Sequence, residues 1–164
     1  MVISKLAQIK IVSRPQLFKV TQNLKEQNKK IIFTNGCFDI LHSGHVHLLQ
    51  VAKRSGDVLI VGLNMDASVR KLKGPSRPIN SQNDRATILA SLGSVDYVVL
   101  FHEDTSENLI EEIRPHIYVR GSDYKGKSCP EFECVKSYGG KIEFVDLVRN
   151  KSTTKIIKRI SKLA

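Results

Sequence analysis

The sequence predicts an α/β protein built on an open parallel sheet of five strands, with helices on both faces. Three observations predict it. Short and almost wholly apolar runs, such as VLIVGL at Val58–Leu63 and YVVLF at Tyr97–Phe101, lack the alternation of a half-exposed strand and read as central parallel strands. Between these runs the apolar residues fall at helical spacing. Regular strand–helix alternation builds right-handed βαβ crossovers, which cover both faces of such a sheet.

The elements follow in order. Ser13-Arg14-Pro15 is an N-cap with proline in the first turn, opening a helix to about Asn28 with Leu17, Val20 and Leu24 on one face. Residues 1–29 thus form an N-terminal helical segment, and 30–164 the core of a single domain spanning 1–164. Lys30–Thr34 (KIIFT) is the first strand and Val46–Ala52 a helix. Val58–Leu63 is the second strand. A short helix from Asp66 leads into the loop GPSRPIN, and Ser81 with Asp84 makes a capping box for a helix through Leu92. Tyr97–Phe101 is the third strand, Thr105–Ile113 a helix, Ile117–Arg120 the fourth strand, Pro130–Tyr138 a helix and Lys141–Val145 the fifth strand. A last helix, Ser152 to Leu163, turns Ile156, Ile160 and Leu163 inward. The whole reads as a Rossmann-like sheet. Ligands of such folds bind beyond the carboxyl ends of the strands, which puts the loops 35–44, 64–80, 121–128 and 146–152 on one edge.

Composition narrows the function. With 41% hydrophobic and 26% charged residues, the chain has the material for a packed core. No apolar run approaches the length of a membrane span. The start, MVISKLAQIKIVSRPQ, has no apolar run followed by a small-residue cleavage site, so a cytoplasmic protein is expected. Three cysteines cannot pair completely and read as reduced thiols. The net charge of +10 (26 − 16) favours anionic partners: nucleic acid, an acidic membrane surface or small phosphorylated substrates. Its cations are spread over many loops rather than gathered in one arm, which favours a site assembled from loops.

The most specific segment is TNGCFDILHSGH, Thr34 to His45, directly after the first predicted strand. His42 and His45 are three apart, so one turn of a helix start carries both imidazoles to the same side. Gly44 between them lets a ligand approach the backbone. Free amides and the positive end of the helix dipole attract phosphate there, and two imidazoles can meet charge developing on a phosphoryl group. Zinc ligation would need a third and fourth ligand, and neither Cys37 nor a neighbour supplies a matching pattern. No metal site is expected. Cys129 and Cys134, five apart around Pro130, read as structural thiols, and nothing requires Cys37 to be a nucleophile.

The segment TNGCFDILHSGHVHLL resembles the signature of the HxGH nucleotidyltransferase superfamily. More closely, GLNMDASVRKLKGPSRPIN, DRATILASLGSVDYVVLFHEDT, VRGSDYKGK and STTKIIKRI make the chain similar to the D-glycero-β-D-manno-heptose 1-phosphate adenylyltransferases of lipopolysaccharide precursor synthesis, from about Lys30 to Ile160. The resemblance implies that ATP and the heptose 1-phosphate are condensed to ADP-heptose and pyrophosphate, with Mg²⁺ arriving on the nucleotide. It implies nucleotide contacts at Asn35, Gly36, Cys37, Phe38 and Gly44. His42 and His45 would hold the triphosphate and stabilise the pentacovalent phosphorus. Lys73 and Arg85 would be catalytic cations, and Lys73 with Arg77 would bind the sugar phosphate. Gly121 and Asp123 would lie beside base and ribose, and Ser152, Thr153 and Thr154 would hold the β- and γ-phosphates. The amphipathic first helix and the superfamily's habit imply a homodimer, and small-molecule substrates, rather than nucleic acid or a membrane, are the expected partners.

The bifunctional members of that group carry a sugar kinase domain ahead of this one, so the chain reads as a free-standing adenylyltransferase. It departs from the group at VRNKSTT, where Lys151 stands before the STT triplet, and at Ser122 in VRGSDY. Two other functions stay open on the sequence: a cytidylyltransferase for glycerol 3-phosphate or a similar alcohol phosphate, and a basic nucleic-acid-binding module. The second lacks interleaved aromatics, which make up only 6% of the chain.

Overall fold

The computed structural model describes residues 5–163. Six strands, all parallel, form one sheet in the order β1-β4-β3-β2-β5-β6. The strands are β1 (Ile11–Val12), β2 (Ile31–Gly36), β3 (Val58–Asn64), β4 (Tyr97–Phe101), β5 (Ile117–Gly121) and β6 (Lys141–Val145). The helices are α1 (Lys5–Lys10), α2 (Arg14–Glu26), α3 (Ser43–Arg54), α4 (Asp66–Lys73), α5 (Gln82–Ala90), α6 (Glu107–Ile113), α7 (Pro130–Ser137) and α8 (Thr153–Ile160).

Five strands match the sequence reading and the sixth corrects it. The expected all-helical N-terminal segment is broken by β1, which pairs Ile11 with Val98 and Val12 with Val99. Two β-branched residues are enough to extend the sheet past β4, and Ser13 then caps α2 through a reciprocal pair of bonds with Gln16. Residues 1–4 and 164 of the expected domain lie outside the described residues.

Alternate residues of each strand face opposite sides, so the sheet has two cores. Ile32, Leu59, Val61, Leu63, Val98 and Val119 pack beneath Leu49 and Ala52 of α3 and Ala86, Leu89 and Ala90 of α5. Ile31, Phe33, Ile60, Val99, Phe101 and Tyr118 pack beneath Leu17 of α2, Leu109, Ile110 and Ile113 of α6, and Phe132 and Val135 of α7.

The last helix departs from expectation. Ile156 is only half-buried, Ile160 is 57% exposed and Leu163 is 82% exposed. β6 is the edge strand, so α8, which follows it, has no further strand to cover. Among the described residues, no helix is long and apolar enough to cross a membrane.

The chain winds from β2 through β3 to β4, then returns to the other side of β2 for β5 and β6. The direction of winding reverses between β2 and β5, and a crevice opens there at the strands' carboxyl ends.

Candidate active site

A cavity of about 560 Å³ occupies that crevice. Of the residues expected from sequence, Asn35, Gly36, Cys37, Phe38, His42, Gly44, His45, Lys73, Arg77, Gly121, Asp123 and the run Ser152–Thr154 line it. The fold thus brings together loops that follow β2, β3, β5 and β6.

The turn between β2 and α3 forms the floor. Phe38 adopts a left-handed φ of 44°, a conformation that costs a non-glycine residue about 1–3 kcal/mol and is characteristic of functional turns. Its ring lies under Gly36 and against His45, 5.2 Å between centroids. His42 is the N-cap of α3, and its Nδ1 accepts from the backbone N–H of His45 at 3.4 Å. The two imidazoles stack with centroids 3.7 Å apart and planes 19° from parallel. A side chain on Gly44 would begin 3.0 Å from the His42 ring, so glycine is what lets the ring occupy that place.

Both imidazoles are held neutral. Burial lowers His42 below its ordinary value, and the nearby Lys151 adds to the effect. Burial and then His42 push His45 down to about 4. Because His42 Nδ1 is an acceptor, its neutral ring carries the proton on Nε2. His45 Nδ1 is buried without a partner in the protein. Burial pushes the Cys37 thiol up, so it stays protonated at neutral pH and is a poor nucleophile.

Beneath the histidine turn lies a network that sequence reasoning missed. The buried Asp39 carboxylate accepts from Arg77 Nε, from Ile79 N at 2.7 Å and from Asn80 N at 3.1 Å. Its carbonyl accepts from Asn80 Nδ2 at 2.9 Å. One aspartate thereby ties the RPIN loop to the histidine turn. Arg77 lines the cavity with its Nε already engaged.

Arg85 corrects an expectation. It does not line the cavity; its side chain is fully enclosed, donating to Asn80 O at 3.1 Å, Cys37 O at 2.6 Å and Asp66 Oδ1 at 2.7 Å. With those three partners enclosing the guanidinium, it holds the cavity floor from behind.

On the β5 side, Asn35 Oδ1 accepts from Tyr118 Oη and Arg120 Nη1, both at 2.6 Å. The Arg120 guanidinium lies 3.8 Å from the Tyr124 ring centroid, a cation–π contact. Arg120 and Tyr124 line the cavity beside Gly121 and Asp123, and neither was singled out from sequence. Beside the histidine turn, Ser152 Oγ caps α8 by accepting from Lys155 N at 3.2 Å. Thr153 Oγ1 donates to Ile40 O at 3.2 Å, fastening the α8 start to the histidine turn. Two helix N-termini therefore open into one cavity, an arrangement suited to polyphosphate. Among the described residues, no three His, Cys, Asp or Glu side chains cluster as metal ligands.

A parallel sheet with a histidine-capped helix at its switch point defines an open α/β protein with its cavity at the strands' carboxyl ends. The chain belongs to the cytidylyltransferase-like family, whose model matches residues 33–159. It is 52% identical over 151 residues to the bifunctional protein HldE of Syntrophotalea carbinolica, covering 92% of this chain and 31% of that protein. The bifunctional protein HldE of Campylobacter concisus is 58% identical over 132 residues, covering 80% of this chain and 27% of that protein. The chain thus spans about a third of the length of these relatives. Among solved structures, it resembles the lipopolysaccharide core biosynthesis protein from Thermoplasma volcanium, with TM-score 0.59 and 29% identity, covering 75% of this chain and 99% of that one. The pantoate-β-alanine ligase of Francisella tularensis, with TM-score 0.60 and 19% identity over 93% of this chain and 77% of that one, shares the fold.

Proposed function

We propose that residues 1–164 form a nucleotidyltransferase unit that joins the adenylyl group of ATP to D-glycero-β-D-manno-heptose 1-phosphate. The products are ADP-heptose, for lipopolysaccharide core or related heptose glycans, and pyrophosphate. An oxygen of the sugar phosphate bonds to the α-phosphorus, and the bond from that phosphorus to the oxygen leading to the β-phosphate breaks. The attacking oxygen is already anionic, so the site needs positioning and charge stabilisation rather than a base.

The observation that carries this reading is the neutral histidine pair at the start of α3, beside the start of α8 in one cavity. In this reading His42 Nε2–H donates to the α-phosphoryl oxygen as charge builds, and His45 stacks against it and sets its position. Ser152 to Thr154 receive the distal phosphates. Gly121 and Asp123 flank base and ribose, and Lys73 and Arg77 face the sugar phosphate. Mg²⁺ enters with the triphosphate as part of the substrate: Asp104, Asp123 and Glu131 line the cavity, but among the described residues no three such groups cluster to hold an oxygen-seeking ion.

The heptose substrate is supported by the likeness to the HldE proteins and to the lipopolysaccharide core biosynthesis protein. The family's description favours a second reading in which CTP and an alcohol phosphate such as glycerol 3-phosphate are the pair. Pyrophosphate release from ATP, CTP, GTP and UTP, each with heptose 1-phosphate and glycerol 3-phosphate, decides between them. ATP with the heptose should be fastest; faster release from CTP with glycerol 3-phosphate would replace the first reading by the second. We further read the protein as a cytoplasmic homodimer acting on small molecules. The exposed Ile9 and Ile88 on the adjoining helices α1 and α5 support self-association, which sedimentation would test.

A further inference from the structure

The cavity's cations are unequal. Arg77 is held by Asp39, and Arg120 is bonded to Asn35 and stacked on Tyr124. The two lysines that line the cavity, Lys73 and Lys151, have no carboxylate partner among the described residues. They come from opposite sides: Lys73 ends α4 after β3, Lys151 precedes α8 after β6, and β2 with its histidine turn lies between them in the sheet.

Lys151 is the closer of the two to the histidines. Its Cβ stands 3.5 Å from where a side chain on Gly44 would begin, so its stem lies against the glycine of the histidine turn. Its charge is felt at His42, whereas that of Lys73 is felt at Cys37. The backbone is fixed there. Asn150 takes a left-handed φ of 62°, its Oδ1 accepts from Lys155 Nζ at 2.9 Å, and Lys151 N donates to Val148 O at 3.3 Å.

We propose that Lys151 is a further catalytic residue, its ammonium group contacting the nucleotide's phosphates beside His42. The inference rests on the nucleotidyl-transfer reading above. Its chemical logic is that neutral imidazoles donate hydrogen bonds but bring no net charge, while a triphosphate brings several negative charges into a partly dehydrated cavity. A cation next to His42 adds positive charge at the histidine turn itself, and its worth rises as negative charge gathers on the departing pyrophosphate.

The test compares Lys151→Met, Lys151→Arg and Lys162→Met, the last lying beyond Ile160 and outside the cavity. Calorimetry with inorganic tripolyphosphate should show about tenfold weaker binding for Lys151→Met, the loss of one charge-assisted contact. Lys151→Arg should recover most of it, and Lys162→Met should stay within about twofold of the parent. The second-order rate constant for pyrophosphate release should follow the same order. Titration of the His42 ring by NMR gives a readout independent of turnover: its pKa should rise in Lys151→Met, because a neighbouring positive charge has gone. Binding and turnover of Lys151→Met within twofold of the parent, or an equal loss in Lys162→Met, would overturn the proposal. If tripolyphosphate binding depends on Lys151 while the parent transfers no nucleotide, the phosphate contact stands, and the catalytic role falls together with the transfer reading.

Discussion

His42 caps the helix that carries His45, and the same bond fixes the tautomer of the capping ring. The 3.4 Å contact from His45 N occupies His42 Nδ1, leaving Nε2–H as the donor. The 3.7 Å stack then aligns the second ring with the first. Local helix chemistry and the orientation of the Nε2–H donor are one feature of this turn.

Replacing either histidine by alanine should lower turnover by about 10²–10³, the usual loss for one preorganised donor. ATP affinity should fall much less, because the donor meets charge that develops in the transition state. Steady-state rates with calorimetric ATP binding check both. Near-normal turnover in folded single variants would remove the phosphoryl role.

The stacked pair also sets an acid limit to stability. His45 has a folded pKa of about 4 against an ordinary 6.5. As pH falls through 6.5 the unfolded chain takes up a proton that the folded chain refuses, so stability drops from there until about pH 4. His42, also lowered, adds in the same direction. Denaturant unfolding at pH 7, 5.5 and 4 should show a steeper fall for the parent than for His45→Gln. Equal slopes would mean that His45 titrates normally in the folded protein.

Arg85 should behave as a framework residue. Arg85→Met leaves the Cys37 carbonyl and the Asp66 carboxylate without their donor; the Asp66 side chain keeps 26% exposure, so the loss should lie near the lower end of the range of about 3–5 kcal/mol for a broken buried pair. Arg85→Lys should recover little, since an ammonium group cannot span three acceptors arranged for a guanidinium fork. Unfolding free energies read the loss. A stable Arg85→Met with a selective defect in phosphate binding would restore the direct role expected from sequence.

What the sequence made legible follows from where each signal is local. Buried parallel strands are continuous apolar runs, so Val58–Leu63 and Tyr97–Phe101 were bounded to within a residue. The histidine turn was readable because its spacing, its glycine and its place after a strand all lie within a dozen residues. β1 was not, since two residues carry no periodicity. The amphipathic pattern of α8 revealed an apolar face but not whether anything covers it. Arg85 was placed among the phosphate-facing cations, and Asp39 was passed over, because their partners lie far along the chain. Cys37 is 48 positions from Arg85, and Ile79 is 40 from Asp39. A lone aspartate between Phe38 and Ile40 was the one local hint of a buried acceptor.

The triplet before α8 gives the last prediction. Ser152 Oγ is engaged as a cap and Thr153 Oγ1 with Ile40 O, so both hydroxyls already do structural work. Ser152→Ala alone should destabilise by about 0.5–2 kcal/mol, the range for a lost N-cap. A phosphate role adds something a cap does not. In Ser152→Ala combined with Thr153→Ala, affinity should fall more for ATP than for AMP, because the start of α8 would reach only the β- and γ-phosphates. Calorimetry of the double variant with both nucleotides measures this directly. Equal losses for the two would leave Ser152 and Thr153 as a cap and a fastener of the histidine turn, and would return the distal phosphates to the lysines.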